Sequence, residues 1–155
     1  MKFELWMREA LQEARVGLVS GEPPFGCVIV DPSGEIVVRN HDRVIQHGDM
    51  SSHAETLAVR EAIGSVETDN LTDYQLISTI EPCAMCFTTA WLNRISRIVF
   101  GATMEDVYQI TQQKQREMTI TAAEMNQRRG NTIELVGGIL ANDCKNIFKH
   151  YQFPE

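Results

Sequence analysis

No apolar run in the 155-residue sequence approaches the ~20 residues of a membrane span, so no spanning helix is expected. Cysteine is sparse. Only Cys27, Cys83, Cys86 and Cys144 are present, and they suit a reducing compartment better than the disulfide framework of a secreted chain. Positive charge is also short. Fourteen Lys and Arg stand against 21 Asp and Glu, a formal net charge of −7. The basic residues are mostly scattered, with Arg94/Arg97 and Arg128-Arg129 as the local groups. Nucleic-acid binding draws much of its affinity from basic groups on phosphates, so a nucleic-acid partner is disfavoured. The opening Met1-Lys2-Phe3-Glu4 does not read as a secretory signal, because Glu4 and Glu9 interrupt the first apolar stretch. The cytoplasm is the expected location. The length predicts a single domain over residues 1–155, able to bury about two-thirds of its unfolded surface.

What is present is a regular alternation of helical and strand periods. Residues 3–19 carry Phe3, Leu5, Trp6, Leu11 and Ala14 at mostly helical spacing, and Gly21 with Pro23-Pro24 ends that helix. Gly26 to Val30 reads as a buried strand, Asp31-Pro32-Ser33-Gly34 as a turn, and Glu35 to Arg39 as the returning strand of a hairpin. A polar loop at roughly 41–51 leads to a helix at about 52–64, followed by a break from Gly64 to Asn70. Tyr74 to Thr79 predicts a strand, Pro82 to about Asn93 a helix, and Arg97 to Phe100 another strand. Residues 105–128 are polar and predicted largely helical; Thr132 to Val136 predicts a fifth strand and Ile139 to Tyr151 a last helix. The pattern implies an α/β fold, a three-layer α/β/α sandwich around a central mixed five-stranded sheet.

Two short segments carry the chemistry: His53-Ala54-Glu55 and Glu81-Pro82-Cys83-Ala84-Met85-Cys86. His53, Cys83 and Cys86 are good zinc ligands, and a catalytic zinc site has three protein ligands with one position left for water. Cys83 and Cys86 are three apart, hence on one face of a helix if Pro82 opens it. A helix N-terminus lowers a thiol's pKa and helps both cysteines bind as thiolates. One zinc per chain is expected. Glu55 is then left to move protons, as the carboxylate does in the H-x-E…P-C-x-x-C signature of the zinc deaminases. Blander roles stay open: a C-x-x-C redox pair, or a Ser52-x-x-Glu55 capping box in which Glu55 merely satisfies a backbone N–H. Cys27 and Cys144 have no matching partner nearby and read as small buried hydrophobes.

The order helix, Pro24-Phe25-Gly26, hairpin, His-Ala-Glu, strand, Glu-Pro-Cys-Ala-Met-Cys, strand, Gly-Gly-Ile-Leu resembles the cytidine/deoxycytidylate deaminase superfamily. Within it the chain is most similar to the bacterial guanine deaminase and tRNA adenosine deaminase branch. The resemblance covers about residues 5–101 and resumes at about 132–150. Pro24-Phe25-Gly26 is similar to the guanine deaminase form; Ile95 to Ala102 and Gly138 to Ala141 look like the tRNA enzyme. The resemblance implies a cytidine deaminase-like fold and hydrolytic deamination of a free nucleobase or related small amino-heterocycle, guanine leading. It keeps tRNA adenosine-to-inosine deamination and cytosine, pterin or triazine deamination as alternatives. From a different class, a zinc-stabilised binding protein without turnover is weighed against them. A homodimer is expected from the branch, and from a long helix at about 104–128 with no second core of its own.

One position departs from the family. Its substrate-binding Asn falls eleven residues before the zinc His, which is Asp42 here. Ionised Asp only accepts hydrogen bonds, so the site is expected to prefer a heterocycle presenting N–H or NH₂ there. Two other readings stay open: Asp42 simply holds the loop, or the register slips so that Asn40 takes the role. Phe25 is expected to line the pocket. Ala54 and Cys83 are expected to offer backbone N–H groups to the reacting centre. Residues 103–131 match neither relative, and they read either as a cover for the site or as a dimer-facing helix. The tail around Tyr151 and Phe153 reads either as a pocket wall or as a frayed terminus.

Overall fold

The computed structural model describes residues 2–66, 70–112 and 118–154. In chain order its elements are α1 (Lys2–Val19), β1 (Gly26–Val30), β2 (Ile36–His41), α2 (Val44–His47), α3 (Ala54–Val66), β3 (Gln75–Ile80), α4 (Ala84–Leu92), β4 (Arg97–Ala102), α5 (Met104–Thr111), α6 (Ala122–Arg128), β5 (Glu134–Val136) and α7 (Ala141–Asn146). The sheet runs β2-β1-β3-β4-β5. β1 is antiparallel to both β2 and β3, while β3–β4 and β4–β5 are parallel. The sheet is therefore mixed and five-stranded, as expected.

Alternation along the inner strands divides the core. Val28 and Val30, Ile77 and Val99 face one side with Trp6, Met7 and Leu11 of α1, Val107 of α5 and Cys144 of α7. Cys27 and Ile29, Leu76 and Ile98 face the other with Ala58 and Val59 of α3, Phe87 of α4 and Ala122 of α6. Each face of the sheet is thus covered by helices, giving three layers. α1 buries Trp6, Met7, Ala10, Leu11, Ala14 and Gly17, a stripe at helical spacing with small residues along it. Those small residues let the helix lie close to β1. A Cβ built on Gly26 would collide with the Ala10 carbonyl oxygen and the Ala14 nitrogen, both backbone atoms of α1.

Strand register gathers the site at one end of the sheet. Gly26 pairs with His41, Cys27 with Ser78, and Ile80 with Ala102. Phe25 just before β1, Asp42 just after β2, Glu81 just after β3 and Thr103 just after β4 therefore lie along the same edge. Helices α3 and α4 begin there too.

Five expectations need correction. The last helix is α7, Ala141–Asn146, and not Ile139 to Tyr151; Leu140 before it is left-handed (φ 50°). Residues 105–128 do not form one helix: α5 stops at Gln112, which adopts a left-handed conformation (φ 55°), and α6 starts afresh at Thr121. Each begins with its own capping box, Thr103 with Asp106 and Thr121 with Glu124. The part of this expectation on residues 113–117 lies outside the described residues. The loop at 41–51 contains the short α2. α3 runs through Gly64 to Val66, and the remainder of the expected break at 67–69 lies outside the described residues. α4 begins at Ala84 and not at Pro82, which leaves Cys83 as its N-cap.

Gly26→Ala is expected to lower the melting temperature by several degrees, because backbone of α1 must retreat from the sheet at about 1–3 kcal/mol. Thermal unfolding followed by circular dichroism checks this; an unchanged midpoint would show that α1 does not seat on β1 as described.

Candidate metal centre and catalytic cleft

Both ligand segments sit at helix starts. The His53 carbonyl accepts the Leu57 N–H (3.0 Å) and the Cys83 carbonyl accepts the Phe87 N–H (2.8 Å), so each is the residue that opens its helix. Cys83 is extended (φ −65°, ψ 172°), which turns its side chain back over the first turn of α4 toward Cys86. His53 Nδ1 lies 3.6 Å from Cys83 Sγ and 3.6 Å from Cys86 Sγ. All three ligand atoms fall within 4.8 Å of one another. Zinc bonds of ~2.0 Å to nitrogen and ~2.3 Å to sulfur at tetrahedral angles put N and S about 3.6 Å apart. The two sulfurs and one nitrogen therefore fit zinc in both chemistry and spacing.

The electrostatics agree with a ligand set. Cys83 is brought down to about 4, first by the hydrogen bond from the Cys86 thiol and, against burial, by His53. Cys86 is pushed well up by its bond to Cys83 and by burial, so the pair holds one proton that a cation displaces. Burial works to lower His53, but Cys83, Asp42 and Glu55 outweigh it and raise it to about 9. Thr56 Oγ1 approaches Cys86 Sγ at 3.5 Å.

Glu55 projects from the first turn of α3 and is only 5% exposed. Ser78 Oγ donates to its Oε1 at 2.7 Å. Burial pushes the Glu55 carboxyl up, while His53 and the Ser78 hydrogen bond pull it back. A carboxyl balanced in this way suits a group that must both take and return protons. The capping box with Ser52 is not what the structure displays: Ser52 Oγ pairs with His47 Nδ1 (2.9 Å) and Glu55 with Ser78.

A cleft opens on the cluster, lined by Phe25, Asp42, His53, Glu55, Ile80, Glu81, Cys83 and Met104. Asp42 and Phe25 thus come together with the ligands. Asn40 does not: its side chain donates to Glu61 Oε2 (3.0 Å) on α3. Asp42 is buried and its Oδ1 accepts the Ala54 N–H at 2.7 Å. That bond changes one expectation, since the Ala54 N–H is held by Asp42 and is not aimed at a reacting atom. The Cys83 N–H makes no hydrogen bond among the described residues.

The tail is packed and not frayed. The Phe25 ring meets Phe148 edge-on (5.2 Å) and lies 6.2 Å from Phe153, and Tyr151 stands edge-on to both tail phenylalanines. Tyr151 is pushed up to about 12 by burial, Asp42 and Glu22. Trp91 lies elsewhere, under the Arg129 guanidinium at 4.1 Å. Sequence reasoning missed Ser78, Ile80, Glu81 and Met104. Glu81 sits inside the most specific motif, which was a usable signal; Ser78 shares β3 with the polar Gln75 and Thr79 and does not stand out.

Comparison with known proteins agrees with this geometry. Residues 1–102 match the family model described as the cytidine and deoxycytidylate deaminase zinc-binding region. A tRNA-specific adenosine deaminase of Streptococcus pyogenes is 35% identical over 152 residues, covering 94% of this chain and 81% of that protein. The guanine deaminase of Nitrosomonas europaea superposes with a TM-score of 0.81 at 21% identity, over 96% of this chain and 83% of that one. The guanine deaminase of Bacillus subtilis superposes with a TM-score of 0.63 at 26% identity, over 83% of this chain and 91% of that one.

Metal analysis of purified protein is expected to give about one zinc per chain. Cys83→Ala and Cys86→Ala are expected to lose it. Freshly purified active protein free of zinc would remove the metal assignment.

Proposed function

The chain belongs to the cytidine and deoxycytidylate deaminase family and is a zinc-dependent aminohydrolase, and on that premise we propose that it deaminates a free nucleobase or a similarly small amino-heterocycle, guanine first. The observation that carries the chemistry is the buried Glu55 carboxylate, held by Ser78 beside the His53/Cys83/Cys86 cluster. Zinc bound there supplies Lewis-acid activation of water, lowering its pKa toward neutrality. Glu55 takes one proton from the attacking water and delivers it to the ring nitrogen next to the carbon under attack. It then moves the second proton from the new hydroxyl to the exocyclic amine. The amine leaves as ammonia, the carbonyl forms, and Glu55 is returned ionised. The Cys83 N–H serves as a backbone donor to the oxygen that develops charge.

Two observations favour a small substrate. Phe25, which lines the cleft, is backed by Phe148 and Phe153 of the tail, and the net charge of −7 gives little for a polyanion to bind. The second reading, tRNA adenosine deamination, is favoured by the 35% identity to the streptococcal enzyme. Ammonia release from guanine, set beside release from an adenosine-containing anticodon stem-loop, separates them. Release from guanine alone supports our reading; release from the RNA alone overturns it.

The same reading treats residues 1–155 as one domain. It places the protein in the cytoplasm, where Cys83 and Cys86 stay reduced for metal; no helix among the described residues is long and apolar enough to cross a membrane. It keeps the homodimer on a new basis. α5 buries Met104 and Val107 in the core and turns Glu105 and Gln109 outward, so it offers no spare apolar face, whereas α4 carries no charged residue and leaves Leu92 64% exposed.

Glu55→Gln is expected to retain zinc and lose at least ~10²-fold in turnover, the usual scale for a lost acid–base group. Near-native activity in that variant would reduce Glu55 to a structural residue. Asp42→Asn keeps one oxygen for the Ala54 N–H and replaces the other acceptor with a donor. We expect it to cut kcat/KM by about tenfold (~1.4 kcal/mol) on a base presenting an amino group at that place, and to narrow the preference over the matched base without it. An identical ratio for both proteins would return Asp42 to a purely structural role.

A further inference from the structure

We propose that Glu81 is a positioning residue that fixes one wall of the cleft by capping α5 and α6 with one carboxylate. Its side chain is 7% exposed and lines the cleft. Oε1 accepts the Ala122 N–H at 2.9 Å and Oε2 the Met104 N–H at 3.4 Å. These are the first residues of α6 and α5. Each helix already satisfies its third N–H internally, Asp106 to Thr103 Oγ1 and Glu124 to Thr121 Oγ1, both 3.1 Å. Glu81 takes the N–H that those capping boxes leave unserved. Its own N–H donates to the Ala102 carbonyl (2.8 Å), tying the residue to the end of β4 as well.

The consequence is a shared frame. Glu81 stands two residues before the ligand Cys83, and Met104, whose backbone it holds, lines the same cleft. One side chain thus sets where the first turns of α5 and α6 stand relative to the metal ligands. Met104, at the start of α5, is thereby placed in the wall of the cleft. The inference rests on the reading that substrate occupies this cleft.

The test compares wild type, Glu81→Gln and Glu81→Ala. Gln keeps one acceptor and turns an NH₂ toward the other N–H. Hydrogen exchange is expected to rise in the first turns of both α5 and α6 in the Ala variant, and in at least one of them in the Gln variant. Zinc content of the Gln variant should stay at the wild-type value. In protein carrying ¹³C-methyl methionine, the Met104 signal, assigned with Met104→Leu, should shift or broaden in Glu81→Gln while that of Met7 does not. With guanine as probe, KM should rise about tenfold, the loss of one hydrogen bond to a charged group, with kcat little changed. Unchanged exchange in both helices, an unchanged Met104 signal, or exchange rising equally throughout the sheet overturns the proposal, as does a fall in kcat at constant KM. Absence of any ammonia from guanine with the wild-type protein would instead overturn the substrate reading, and exchange and the Met104 signal would still decide the role of Glu81.

Discussion

Three ligand atoms from two segments about thirty residues apart must meet within 4.8 Å, and most of the architecture can be read as the means of bringing them there. His53 opens α3 and Cys83 opens α4, so two helix starts have to face each other across the end of one sheet. The antiparallel β1–β3 pair and the parallel β3–β4 pair put the relevant strand ends on that edge. α1 seats against β1 only because Gly26 has no side chain. Side chains beyond the ligands then lock the arrangement: Thr56 at Cys86 and Ser78 at Glu55.

The cleft concentrates three buried carboxylates, and each is held by hydrogen bonds from named donors. Glu55 takes the Ser78 hydroxyl, Asp42 the Ala54 N–H, and Glu81 the first N–H groups of two helices. Burying such groups without donors costs several kcal/mol each. The division of labour follows from the donors. Asp42 and Glu81 are bonded to backbone and so fix helix positions. Glu55 is bonded to a rotatable hydroxyl and lines the cleft with the metal ligands, in keeping with the proton-exchange role proposed for it. A binding protein stabilised by zinc has no need of a buried carboxylate in that place.

Much of this was legible in the sequence, where local pattern and motif spacing coincide. The hairpin from Gly26 to His41 and helices α1, α3 and α4 follow from apolar periodicity and turn residues. The ligand set follows from His53-x-Glu55 with Cys83-x-x-Cys86. What was not legible depends on long-range partners. Residues 105–128 read as one helix because they are polar and rich in Glu, Gln, Lys, Arg and Ala, despite the β-branched run Thr119-Ile120-Thr121; the break comes at Gln112, in a left-handed conformation that no glycine announces. The two Thr-x-x-acid pairs at Thr103 and Thr121 were visible but look like ordinary helix interior without knowledge of that break. Asp42 was legible as a departure from its family, but its bond to Ala54 reaches twelve positions along the chain, past α2. Glu81 serves partners twenty-three and forty-one residues away, which no local pattern encodes.

A zinc with three protein ligands and one exchangeable position is the claim on which the catalytic reading turns, because a structural zinc would be closed by four protein ligands. X-ray absorption at the zinc edge on the purified protein reads that coordination directly. The account predicts two sulfur neighbours at ~2.3 Å and two lighter neighbours at ~2.0 Å, one of the light pair being replaced when a competing anion or inhibitor is added. Three or four sulfur neighbours, or a shell that no added ligand alters, would contradict it.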